Sequence, residues 1–184
     1  MATSNRDDNV RLDSLMLIES DTAAPDYRPL VEILNDLYAA ESRSVFRYLQ
    51  TWNPYTTAKT IKLRRLGREL MQASFDHSDR LARLIERFGG VPIEGAYDKD
   101  NADANYADWT TLLVRLIESK RAIIARYRRA IERLETVPSD NDARTVLIDL
   151  NRENTEHLEA LELWRQKVGA GPTSTVSGED RDAY

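Results

Sequence analysis

Apolar residues recur every three or four positions in four long stretches of the chain. This spacing is typical of α-helices that bury one face. Asn53-Pro54, Gly89-Gly90 and Pro138 separate the stretches, because proline interrupts helical hydrogen bonding and glycine closes helix C-termini. The pattern predicts an all-α protein with four long helices, numbered 1 to 4 here, at about residues 27–52, 58–88, 106–136 and 140–168.

The connections between these helices predict how they are arranged. Residues 89–105 carry no helical stripe, and at about 3.3 Å per extended residue such a connection spans roughly 55 Å. A helix of about 30 residues is only about 45 Å long. The other two connections are short and require antiparallel neighbours, so we expect a four-helix bundle with one long crossover between helices 2 and 3. We assign residues 1–26 to a polar N-terminal arm, 27–168 to the bundle and 169–184 to a flexible C-terminal tail.

Composition narrows the class of protein. Charged residues make up 31% of the chain, and its net charge of −5 favours neither nucleic acid nor an anionic membrane as a partner. The absence of Cys excludes disulfides and thiolate metal sites. No run of about 18 apolar residues predicts a membrane span, and no secretory signal is visible. We therefore expect a cytoplasmic protein.

Many arginines of predicted helices 2 and 3 lie among acidic residues. We expect them on solvated faces, paired with Glu at helical spacing. They are Arg64, Arg65, Arg80, Arg83, Arg126, Arg129 and Arg133. The chain has no Gly-rich phosphate loop and no Ser/His/Asp set at a spacing that indicates nucleophilic catalysis.

Each apolar stripe carries polar residues near the middle of its helix. Burying an unpaired charge is costly, so polar groups at the same depth of one core should meet each other. Both histidines of the chain lie on these stripes. The sequence therefore predicts a buried polar cluster that contains Glu41, Ser74, His77, Lys120, Asn154 and His157.

Three segments resemble bacterioferritins and related ferritin-like proteins. Residues 34–41 (LNDLYAAE), followed by VFRY at 45–48, are similar to their first helix. Residues 76–81 (DHSDRL), followed by GGVP at 89–92, are similar to the second helix and its exit, and residues 156–161 (EHLEAL) are similar to the fourth. The resemblance covers about residues 27–168 and implies the ferritin-like four-helix bundle.

The resemblance also implies a degenerate di-iron site. In that family two helices give one Glu each and the other two give Glu-x-x-His, and together these ligands hold two irons. Glu41 matches the helix 1 glutamate, and both family histidines are retained. Ser74, Lys120 and Asn154 stand where the other three glutamates are expected. A charged Lys has no lone pair with which to ligate a metal.

Three interpretations follow for the polar residues. In the first, Glu41 and Lys120 form an ion pair within a hydrogen-bonded cluster that needs no cofactor. In the second, Glu41, His77 and His157 are the remaining ligands of a smaller metal site, which holds one zinc or iron ion. In the third, carboxylates away from the stripe, such as Glu153 or Glu156, complete an active di-iron centre.

The first interpretation predicts a non-enzymatic ferritin-like protein with a structural or interaction role. The alternative is a metal-binding protein, or a ferroxidase or other di-iron oxidoreductase that uses the residual ligands. We expect a homodimer formed through the outer faces of helices 1 and 2. The sequence identifies no other protein partner.

Overall fold

A computed structural model describes residues 25–52, 54–95 and 107–169 of the chain. These residues form a four-helix bundle, which confirms the predicted all-α fold. Its elements are α1 (Arg28–Ser42), α2 (Val45–Tyr48), α3 (Ile61–Arg87), α4 (Trp109–Arg133) and α5 (Asn141–Gly169). Nearly all of the predicted arm and tail, at residues 1–24 and 170–184, lies outside the described residues.

The long helices pack in a ring. α1 packs on α3 and α4 packs on α5, while α1 also contacts α4 and α3 contacts α5. α3 ends beside the start of α1, where the rings of Tyr27 and Phe88 lie 4.9 Å apart. α4 begins at the opposite end of α3, where the side chain of Trp109 lies against Gly67. The connection from α3 to α4 therefore travels the length of the bundle, and the predicted long crossover is confirmed.

The first part of this crossover lies along α1. Asn35 Nδ2 donates to the carbonyl of Val91 at 3.2 Å, and the backbone amide of Ile93 donates to Asn35 Oδ1 at 2.8 Å. Further along, Gly95 lies directly against the guanidinium of Arg43. The side-chain amide of Asn35 thus fixes the path of the chain as it leaves α3.

The first predicted helix is broken, although the apolar pattern predicted one helix from 27 to 52. α1 ends at Ser42, and α2 is a single turn that starts after Ser44. Ser44 is extended, with φ −62° and ψ 152°, and its Oγ lies 3.0 Å from Ser74 Oγ. Serine side chains compete with helical hydrogen bonds. The apolar stripe continues across the break, so periodicity alone could not show it.

The core has two apolar clusters with polar side chains between them. One cluster includes Leu34, Leu81 and Leu147, and the other includes Phe46 and Leu161. α3, α4 and α5 each give residues to both clusters because polar positions interrupt their apolar stripes at mid-length, whereas α1 contributes to the first cluster and α2 to the second. Within the described part of the chain, no helix is long and apolar enough to cross a membrane.

Candidate functional site

The bundle brings the predicted polar residues together between the two apolar clusters. Glu41 of α1, Ser74 of α3, Lys120 of α4 and Asn154 of α5 have no solvent exposure, and His77 is 1% exposed. His157, the sixth predicted member, is only partly buried. Four helices thus contribute to a single polar cluster.

Glu41 is the central acceptor of this cluster. Its Oε1 accepts hydrogen bonds from Asn154 Nδ2 at 2.9 Å and Tyr127 OH at 3.3 Å, and it lies 3.1 Å from His77 Nδ1. Its Oε2 accepts from Ser74 Oγ at 3.3 Å. Both carboxylate oxygens are therefore engaged by protein groups. The sequence indicated Tyr127 only as an apolar core position, and its bond to Glu41 became visible in the structure.

Lys120 reaches Glu41 through an amide. Its ammonium donates to Asn154 Oδ1 at 2.5 Å, and the Nδ2 of the same amide donates to Glu41. The ammonium also lies 4.7 Å from the centre of the Phe46 ring, which is within the range of a cation–π contact. Within the described ranges, no carboxylate touches the Lys120 ammonium directly. The predicted direct ion pair between Lys120 and Glu41 is therefore corrected to a bridged one.

His77 lies between two carboxylates. Its Nδ1 faces Glu41, and its Nε2 lies 3.0 Å from Glu153 Oε2. Ionised carboxylates only accept hydrogen bonds, so both contacts are hydrogen bonds when both ring nitrogens carry protons and the imidazole is a cation. Arg80 Nη1 donates to the other oxygen of Glu153 at 2.9 Å. The sequence placed Glu153 away from the apolar stripe, and its side chain reaches His77 from the partly exposed rim.

His157 was predicted to hydrogen-bond within the cluster or to bind a metal, and in the structure it packs against His77. Its ring stacks on that of His77, with centres 5.8 Å apart and planes 14° from parallel. Its Nδ1 is buried and has no hydrogen-bond partner among the residues that the structure describes. Burial, followed by the charges of Lys120 and His77, lowers the pKa of His157 to about 4. The ring is therefore neutral at pH 7.

Burial and neighbouring charges have opposite effects on the pKa values of Glu41 and Lys120. Burial favours a neutral Glu41, but the charge of Lys120 and the hydrogen bonds from His77 and Asn154 outweigh burial and lower the pKa of Glu41 to about 2. Burial lowers the pKa of Lys120, and the negative charge of Glu41 opposes that effect. Burial and the adjacent Glu41 raise the pKa of Tyr127 well above its usual value. Tyr127 therefore stays a neutral donor.

Comparison with known families agrees with this architecture. The model of the ferritin-like domain matches residues 31–169, which is more than half of the chain. The chain belongs to the ferritin-like family. The match runs from α1 to the end of α5, so it contains all the helices that carry the polar cluster. A comparison with curated proteins finds no match.

The polar cluster of this ferritin-like protein does not fit a di-iron centre. A metal ligand must offer a lone pair, but the Lys120 ammonium has none and both ring nitrogens of His77 face carboxylates. Ser74 and Asn154 supply neutral oxygens where bridging carboxylates would balance the metal charge. In the ranges 25–52, 54–95 and 107–169, no group of three or more His, Asp or Glu side chains could hold a metal ion. The cluster therefore lacks the ligand set that two iron ions require.

Proposed function

We propose that this ferritin-like protein is non-enzymatic and that a metal-independent polar cluster takes the place of a di-iron centre in its core. Its role is then structural or that of an interaction protein. The alternative is that Glu41, His77 and His157 still bind iron or zinc, as a metal-binding protein or as a ferroxidase. Fold alone does not separate these functions, so the proposal rests on the site.

The buried Lys120 is the observation that carries the proposal. A buried cation needs a compensating charge, and Asn154 links Lys120 to Glu41 without contact between the two ions. A divalent cation beside Glu41 would be repelled by the ammonium and would have to displace the donors that Glu41 already has.

Each carboxylate of the cluster also has a permanent cation of the protein nearby. Glu41 faces Lys120 across Asn154 and faces His77 directly, while Glu153 is held between His77 and Arg80. The buried Glu41 is thus linked to Lys120, and the partly exposed Glu153 is paired with Arg80. Both oxygens of Glu41 accept hydrogen bonds from protein groups, and satisfied polar groups of this kind can be buried in a bundle core without a metal.

Metal binding tests this proposal. The purified protein should contain no stoichiometric iron or zinc after growth in metal-supplemented medium. Its melting temperature should not rise with added Fe²⁺ or Zn²⁺, because a ligand that binds only the folded state raises stability by RT ln(1 + [L]/Kd). Oxidation of Fe²⁺ in air should be no faster with the protein than with buffer.

A redesigned variant is the positive control for the same assays. Ser74→Glu, Lys120→Glu and Asn154→Glu together restore the carboxylate positions of the family and should produce metal-dependent stabilisation. Stoichiometric metal in the wild-type protein that is lost in His77→Ala would instead support the alternative function.

We also propose that a second copy of this chain is the partner. The outer faces of the first and second predicted helices correspond to α1 with α2 and to α3, and bundles of this kind often pair there. Light scattering coupled to gel filtration should give twice the mass of one chain. A monomer at micromolar concentration would exclude the dimer.

A further inference from the structure

A cleft of about 400 Å³ opens at the end of the bundle where α3 and α4 begin. This volume lies within the range of about 300–1,000 Å³ that is usual for small-molecule sites. Its described lining combines apolar side chains with two guanidinium groups and contains no carboxylate. The lining residues that matter here are Leu49, Trp52, Arg64, Arg68 and Trp109.

Cations are concentrated just before α3 and in its first turns, and two of them, Arg64 and Arg68, line the cleft. Five lie within the ten residues from 59 to 68, and none of them forms an ion pair with a described residue. They are Lys59, Lys62, Arg64, Arg65 and Arg68. The prediction that Arg64 and Arg65 pair with glutamates at helical spacing is therefore wrong.

The other half of α3 provides a comparison within the same helix. Arg80 pairs with Glu153 at 2.9 Å, Arg83 pairs with Asp79 at 2.7 Å, and Arg87 pairs with Asp140 and Asp142. Among the described residues, the arginines at the end of α3 away from the cleft are thus paired with carboxylates, whereas those at the cleft are not.

The segment that leads into α3, and the first turns of α3 itself, are strongly basic. Residues 42–68 contain seven Lys or Arg and no Asp or Glu, in a chain whose net charge is −5. α3 has no acidic residue in its first turn. Cations at that position are disfavoured by the helix dipole and by each other. An anion bound at the cleft would offset both effects.

The wall of the cleft is built by close packing. A Cβ atom added to Gly67 would lie 2.6 Å from the Trp109 ring, so only glycine lets this indole rest on α3. Trp109 Nε1 donates to Thr56 Oγ1 at 3.1 Å, which fixes the ring. Gly67 directly precedes Arg68 and follows Arg64 by three residues, so the indole is held beside both guanidinium groups.

We propose that this cleft binds a small amphipathic anion, a carboxylate with an apolar body. The apolar body contacts Leu49, Trp52 and Trp109, while the carboxylate accepts hydrogen bonds from Arg64 and Arg68. Guanidinium groups suit this role because their planar set of donors matches a carboxylate. This site is separate from the polar cluster and does not depend on the proposed function.

Decanoate, below its micelle-forming concentration, is the probe for this site. Isothermal titration of the full chain should show saturable binding of one decanoate per chain. Binding should also change tryptophan fluorescence, because two of the three tryptophans line the cleft. Arg64→Gln with Arg68→Gln should weaken binding at least tenfold.

Two controls separate this site from general attraction of anions. Arg83→Gln with Arg87→Gln removes the same number of charges from the same helix, outside the cleft, and should leave the affinity for decanoate unchanged. Decanol has the same apolar body without the charge and should bind at least tenfold more weakly than decanoate. The decanol comparison uses the wild-type chain, so it stays informative even if the double variant does not fold.

Several results would overturn the proposal. One is the absence of saturable decanoate binding to the wild-type chain. Others are equal affinity for decanol, or an unchanged affinity in a folded Arg64→Gln, Arg68→Gln variant. A single-stranded oligonucleotide or an anionic lipid vesicle that binds through these arginines while decanoate does not would instead identify a surface for polyanions or membranes.

Discussion

Lys120 donates a hydrogen bond of 2.5 Å to the side-chain carbonyl of Asn154 at the centre of the bundle. The amide nitrogen of the same side chain donates to Glu41 at 2.9 Å. Asn154 thus presents an acceptor to the cation and a donor to the anion. The buried charges of Lys120 and Glu41 are joined through the neutral side chain of Asn154. Removing any one of the three residues leaves a buried polar group without a hydrogen-bond partner or without an opposite charge nearby.

Replacing Lys120 with Met should be strongly destabilising. Met fills a similar volume, but it leaves Glu41 without the charge that Asn154 links to it, and removing one partner of a buried pair commonly costs about 3–5 kcal/mol. Urea denaturation measures the loss. Lys62→Met, which removes an exposed charge, is the control and should change stability by no more than about 0.5 kcal/mol. An unchanged curve for Lys120→Met would mean that the lysine is not buried with Glu41.

The effects of Lys120 and Asn154 should not be additive. Asn154→Leu removes the acceptor of Lys120 and a donor to Glu41, so part of its cost is already present in Lys120→Met. The double variant should be more stable than the sum of the single changes predicts, by about 0.5–3 kcal/mol. A double-mutant cycle in urea measures this coupling. Strict additivity would show that the bridge contributes nothing.

Glu41 should make the protein sensitive to acid. Its pKa is lowered from 4.5 to about 2 in the folded chain. A carboxyl with a depressed folded pKa stabilises the fold above its unfolded pKa, and this contribution is lost as the pH falls from about 4.5 to about 2. The free energy of unfolding should fall in that window, and fall less in Glu41→Gln. Glu86→Gln, at an exposed position of α3, should retain the wild-type pH profile.

His157 should titrate well below ordinary histidines. Its pKa is lowered from 6.5 to about 4, first by burial and then by the positive charge of Lys120. The unfolded chain therefore takes up this proton at higher pH, and stability from the neutral ring is lost as the pH falls from about 6.5 to about 4. NMR titration of the ring protons measures the midpoint, and His157→Gln assigns the signals. Lys120→Met should raise the midpoint. A midpoint near 6.5 in the wild-type chain would contradict the burial of this ring.

Gly67→Ala should disturb the wall of the cleft. Its new Cβ would lie 2.6 Å from the Trp109 ring, and such overpacking typically costs about 1–3 kcal/mol. Thermal unfolding and tryptophan fluorescence should both change. Gly169→Ala is the matched control, because a Cβ there meets nothing within 4 Å. Equal melting temperatures for the two variants would mean that Trp109 does not rest on α3.

The fold was largely predictable because helical periodicity and connection length are both local properties. Four apolar stripes predicted the helices, and the length of residues 89–105 predicted the crossover. The break at Ser44 escaped prediction because the stripe continues through it. The bond between Ser44 and Ser74 that accompanies the break joins residues 30 positions apart.

The sequence by itself determined which face of each helix is buried and at what depth its polar residues lie. That was enough to group Glu41, Lys120 and Asn154 in one layer of the core. Only the tertiary structure decided that Asn154 lies between the two charges, that Glu153 reaches His77, and that Arg80 and Arg87 pair with carboxylates of α5 and of the residue before it. Periodicity fixes position along and around a helix. Lateral distances of a few ångströms depend on how the helices pack, and those distances decide which polar groups form hydrogen bonds.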